Sequence, residues 1–121
     1  MLIDYLRGRP AVDRVRAVRT RGDVPATTAI NIEEIVRGLR DTELDAAQRL
    51  CRGLLVLPID EAAAWQAGGW RSSFAQRGIT LFQADCLIAA VSHQHRAVLG
   101  TGNPKDFPMP ELAVQHWPVG Q

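Results

Sequence analysis

The sequence predicts an α/β fold, a central parallel sheet covered by helices on both faces in three layers. Three observations carry this expectation. Short β-prone or apolar runs alternate with segments of helical pattern along the whole chain. The run at residues 54–59 is continuously apolar, as a buried parallel strand should be. The segment 85–95 is also almost wholly apolar, which suits a helix buried in such a core. Crossovers between parallel strands are right-handed, and functional groups then gather beyond the carboxyl ends of the strands.

The elements follow in order. Residues 1–6 read as the middle of a helix, broken by Gly8, Arg9 and Pro10. Helical pattern resumes over 11–21, with Val12, Val15 and Val18 on one face. Residues 24–28 are short and β-prone. Asn31 is the expected cap of a helix through Ile32, Ile35, Val36 and Leu39. Gly38 in that helix is expected to allow another backbone to approach. Residues 41–52 form a second helix with Leu44, Ala47, Leu50 and Cys51 as its buried stripe. A strand over 54–59 follows. Asp60 caps a helix over 61–77, interrupted near Gly68 and Gly69 and ended by Gly78. The apolar helix over 85–95 comes next, then strands over 97–100 and 113–117.

The 121 residues suffice for one compact domain spanning the chain. Hydrophobic residues make up 46% and charged residues 22%, ordinary for a globular protein. No stretch approaches membrane-spanning length, and the start lacks the pattern of a secretory signal. The expected compartment is the cytoplasm. Cys51 and Cys86 lack metal-type spacing and read as small buried hydrophobes, which argues against zinc. Net charge is only +1, yet residues 1–21 carry six arginines, Arg7, Arg9, Arg14, Arg16, Arg19 and Arg21, against Asp4 and Asp13. Such a patch suits phosphates, and equally suits a solvated helix face.

Asp85 is the most informative residue. It is a lone carboxylate at the head of the apolar helix, and the strand after that helix runs into Asn103 and Asp106. Magnesium takes oxygen ligands, usually one or two carboxylates plus water. Close carboxylates repel unless a cation neutralises them. Plainer readings exist for each group. Asp85 and Asp60 suit helix caps, Glu33 and Glu34 suit a solvated first turn, and Asn103 and Asp106 suit a turn around Pro104. His93 and His95 stand two apart and point to different helix faces, so they read as surface residues. Trp65, Trp70 and Trp117 read as core or interface residues.

Three blocks then resemble a known family. Ile3-Asp4-Tyr5-Leu6-Arg7-Gly8 is the first, and Thr27 through Gly38 is the second. The third joins Asp85-Cys86-Leu87-Ile88-Ala89-Ala90 to Thr101-Gly102-Asn103-Pro104-Lys105-Asp106-Phe107. In this order they are similar to PIN-domain ribonucleases, specifically VapC-type toxins of bacterial toxin–antitoxin pairs. The resemblance implies a PIN-like three-layer fold. It implies a metal-dependent endoribonuclease using magnesium or manganese. Glu34 matches the family's second acid, Asp85 the third, and Asn103 or Asp106 the fourth position. Thr101 resembles the hydroxyl residue that steadies the cluster. The implied partners are a VapB-type antitoxin, an RNA substrate such as tRNA or rRNA, and a second copy of the chain.

One position departs from the pattern. The family's first strand ends in Asp-Thr-Ser, and that Asp would stand three residues before Met1. Asp4 aligns with a later helix residue. A start placed too late would explain the departure. The 121-residue form is then expected to be poorly stable and weakly active, since a principal metal ligand is missing. The alternative is a catalytically impaired PIN fold that binds antitoxin or RNA without cutting. A receiver-like phosphoacceptor at Asp60 is a third reading. It needs a lysine at a strand end, and Lys105, the only lysine, sits in a loop.

Overall fold

The computed structural model describes residues 9–117, with side chains from Val15 onward. The expected helix over residues 1–6 lies outside them. The described residues fall into two compact units, one ending at Leu57 and the other spanning Pro58–Trp117. Both are α/β and both pair their strands in parallel.

The first unit opens with α1 (Arg9–Thr20). Gly22 ends it at φ +85°, a conformation costly for any side chain. Arg19 donates to the carbonyl of Gly53 at 2.8 Å and ties the helix to a distant turn. Strand β1 (Ala26–Thr28) pairs with β2 (Leu55–Leu57), Thr27 opposite Val56. Between them lie α2 (Ala29–Gly38), a 3₁₀ turn (Asp41–Glu43) and α3 (Leu44–Arg52). Ile35, Ala47, Leu50 and Leu54 form the core, with Leu39 packed against it.

Three expectations are corrected in this unit. Thr28 caps α2, and Asn31 is instead the third helical residue. The two reciprocate: the Asn31 amide carbonyl accepts from the Thr28 hydroxyl at 2.8 Å and from its backbone N–H at 3.2 Å. The segment expected as one helix starts as a 3₁₀ turn, Glu43 accepting from the Arg40 N–H at 2.9 Å. Its stripe is narrower too, since Leu44 is exposed. The apolar run at 54–59 gives a three-residue strand whose Leu55 and Val56 are 53% and 44% exposed. Successive strand residues point to opposite faces, so neither face of β2 is fully covered.

The second unit is built on two helices, α4 (Glu61–Gln76) and α5 (Gln83–Gln94). Asp60 caps α4 by accepting from the Ala63 N–H at 2.9 Å. The helix runs unbroken through Gly68 and Gly69, against expectation, because flanking Ala63, Ala67, Trp70 and Phe74 hold its buried face. Gly78 at φ +79° closes it, with Ile79 N–H on the Phe74 carbonyl and Gly78 N–H on the Ala75 carbonyl. Helix α5 is largely buried in its middle: Cys86, Ile88, Ala89, Ala90, Val91 and Ser92 are all in the core, as its composition predicts. Strand β3 (Val98–Thr101) pairs in parallel with β4 (Ala113–His116), one residue out from the expected limits. The Trp117 indole lies flat against Gly100, where a side chain's first carbon would sit 2.7 Å from the ring. Trp70 is buried and Trp65 is 76% exposed, so only the former is a core residue.

Candidate active site

In the first unit, β1 hands directly to α2 at Thr28. Glu34 is the sixth residue of α2 and is half-buried; Glu33 is exposed. Glu33 lies 3.9 Å from Arg37, one turn on. That surface pair contributes little to stability. Glu33 thus faces a solvated arginine, while Glu34 is partly buried.

In the second unit, α5 starts at Gln83 with Phe82 in the cap position. Asp85 is therefore the third helical residue, slightly inside the expected start. It is half-buried. The helix and β3 are joined by a tight turn. Ser92 donates through its hydroxyl to the Ala97 carbonyl at 3.1 Å, and the Ala97 N–H donates back to Ser92 at 2.9 Å. Arg96 takes a positive φ of 51° there, a place usually given to glycine. The chain thus reverses, and β3 returns along α5, against which it packs. Twelve helical residues rise about 18 Å, and four strand residues about 13 Å. The first turn of α5 and the exit of β3 consequently lie at the same end of the unit.

That exit carries the other candidate donors. Thr101 is buried, and its hydroxyl accepts from the Asn103 N–H at 3.0 Å. Asn103 then opens a 3₁₀ turn (Pro104–Asp106), and the Asp106 N–H donates to the Asn103 carbonyl at 3.0 Å. Asp106 is half-buried and Asn103 exposed. Thr101 therefore fixes the turn that bears both residues. Asp85, Asn103 and Asp106 offer carboxylate and amide oxygens, the donor chemistry that magnesium and manganese take. Among the described residues, however, no group of three or more His, Cys, Asp or Glu is gathered closely enough to hold a metal ion.

The remaining polar groups have structural partners. Asp60 is held below the ordinary carboxylate range by the Gln94 amide, 3.0 Å away, and then by the Ala63 N–H. It is a cap, and nothing assigns it phosphoacceptor chemistry. Glu111 is lowered chiefly by the hydrogen bond from the buried Trp70 indole at 2.9 Å. His93 is exposed and meets Trp70 edge-on at 6.2 Å. Burial raises the thiols of Cys51 and Cys86, which weakens any case for reactivity. The Trp70–Glu111 pair had no legible signal, since 41 residues separate its members. Phe82 did have one: an apolar residue stands where a helix start wants Ser, Thr, Asp or Asn.

Among the described residues no helix is long and apolar enough to cross a membrane. No curated protein matches the sequence significantly. Several solved structures share its fold. The DNA-bound VapBC of Salmonella typhimurium superposes with a TM-score of 0.77 at 20% identity, covering 92% of this chain and 86% of that one. VapBC2 of Rickettsia felis, bound to a promoter DNA fragment, gives 0.74 at 19%, covering 88% and 84%. A toxin–antitoxin complex from Klebsiella pneumoniae gives 0.71 at 25%, covering 92% and 88%. The PIN domain model matches residues 1–108, nearly the whole chain. With parallel strands, an acid at the head of a buried helix and the Thr-x-Asn turn in their expected order, the chain belongs to the PIN-domain family.

Proposed function

We propose that this PIN-domain protein is a metal-dependent endoribonuclease toxin of VapC type, neutralised by a VapB-type antitoxin. One observation carries the proposal: Asp85 in the first turn of α5 and the Asn103–Asp106 turn after β3 follow one another in the order the PIN family uses, within the residues its domain model matches. The structural likeness to VapBC complexes supports the toxin class and the antitoxin partner. Within the second unit Asp85, Asn103 and Asp106 would hold magnesium or manganese, and by resemblance Glu34 is the family's second acid. When bound, such an ion lowers the pKa of a water and stabilises charge on the scissile phosphate. Glu34 and Asp85 are each half-buried, partly open to solvent as a metal-holding carboxylate must be. Thr101 positions Asn103 and Asp106 without touching substrate. By resemblance the protein acts in the cytoplasm as a homodimer.

The test is cleavage of RNA with manganese or magnesium, its arrest by EDTA, and its loss in Asp85→Asn with folding intact. A second reading has its own observation. No three acids are gathered among the described residues, which favours a PIN fold that binds antitoxin or RNA without cutting. RNA binding with no metal-dependent cleavage would establish that reading instead.

A further inference from the structure

Phe82 is costly where it stands, in two ways. It occupies the cap position of α5 and makes no side-chain capping bond, where a hydroxyl or carboxylate would bind a free N–H. Its ring is also 67% exposed, although the helix it opens is mostly buried from Cys86 to Ser92. An apolar ring is thus held in water one turn before Asp85. Lys105 is the second unusual residue. The chain has 14 basic residues, and this is its single lysine. It sits in the 3₁₀ turn between Asn103 and Asp106, exposed, and makes no ion pair with any described residue. A guanidinium fork at this place would clamp a neighbouring carboxylate through two hydrogen bonds. An ammonium is a compact charge that leaves those oxygens free. The reversal of the chain between α5 and β3 puts both residues at the acid-bearing end of the unit.

An exposed aromatic face and a cation presented at one end of a unit suit a strand of nucleic acid, ring on base and charge on phosphate. We propose that Phe82 and Lys105 together grip the nucleotide beside the scissile phosphate, Phe82 stacking on its base and Lys105 pairing with its phosphate. This rests on the endoribonuclease reading and adds the two residues that seat its substrate. Lys105 also offsets the repulsion between an acidic site and an anionic substrate.

Fluorescence anisotropy on the full chain tests it, with a labelled RNA oligonucleotide and an abasic strand of the same length. Phe82→Ser supplies a better cap, so it should raise the melting temperature while weakening RNA binding roughly 5- to 150-fold. It should leave binding of the abasic strand unchanged. Phe82→Tyr should bind like the wild type. Lys105→Ala should weaken both strands alike and reduce the slope of log affinity against log salt by about 0.7. In cleavage assays both losses should appear in KM, with kcat retained. If the wild type cuts RNA while either Phe82→Ser or Lys105→Ala binds it unchanged, the inference fails and the nuclease reading stands. If Phe82→Ser weakens antitoxin binding but not RNA binding, the ring is a protein contact and the inference again fails. A wild type that neither binds nor cuts RNA overturns both readings.

Discussion

Thr28→Val is the substitution whose cost can be worked most directly. Thr28 is 4% exposed and caps the helix that carries Glu34. Valine keeps its shape and removes its hydroxyl. Two hydrogen bonds go with it, the 2.8 Å bond to the Asn31 carbonyl and the 3.4 Å bond from the Asn31 N–H. The 3.2 Å bond from the Thr28 backbone survives. A short bond contributes about 1 kcal/mol net, and a long one less. Loss of a threonine cap costs about 0.5–2 kcal/mol in other helices. About 1.5 kcal/mol is therefore expected. At about 2.1 cal/mol/K per residue, this length of chain has an unfolding entropy near 0.25 kcal/mol/K, so the melting temperature should fall about 6 °C. Urea denaturation should show the same loss through the midpoint, with the slope unchanged. Thr28→Ser should recover most of it. A Thr28→Val midpoint equal to the wild type, or an equal loss in Thr28→Ser, would refute the capping argument.

Three further outcomes follow from particular residues. Glu111→Gln should flatten the acid limb of stability. The depressed Glu111 carboxyl contributes stability that is full above its unfolded pKa, about 4.3, and is lost as pH falls through its lower folded value. An unchanged fall in urea midpoint between pH 5 and pH 3 would count against the Trp70 bond as its cause. Gly100→Ala should cost about 1 kcal/mol, because the new carbon displaces the Trp117 indole, and tryptophan emission should shift to the red; an unmoved spectrum contradicts the packing. Glu34→Gln should abolish metal-dependent cleavage while Glu33→Gln leaves it within twofold, and the reverse order would reassign the second acid.

The apolar helix was legible because its composition leaves it no polar face, so Cys86 to Ser92 had to be buried wherever the helix lay. Asp60 and Gly78 were legible because capping and left-handed closure are local chemistry. Asn31 was misread because a reciprocal cap uses two polar residues, and either one alone looks sufficient. The exposure of Leu55 and Val56 was not legible, since an apolar run states what a strand favours and not what covers it. The site divided in the same way. The turn bearing Asn103 and Asp106 follows from a local hydroxyl bond, and its shared end with Asp85 follows from one tight reversal. The choice of Glu34 over Glu33 came from resemblance, because two adjacent glutamates in one helical turn carry no local signal that separates them.

RNA cleavage by the purified protein in manganese, measured beside Asp85→Asn and beside the wild type in EDTA, tests the central claim most directly. The account predicts metal-dependent cleavage that EDTA stops and that Asp85→Asn lacks, although its melting temperature matches the wild type. Cleavage that persists in EDTA, or an Asp85→Asn variant that cuts at the wild-type rate, would contradict it.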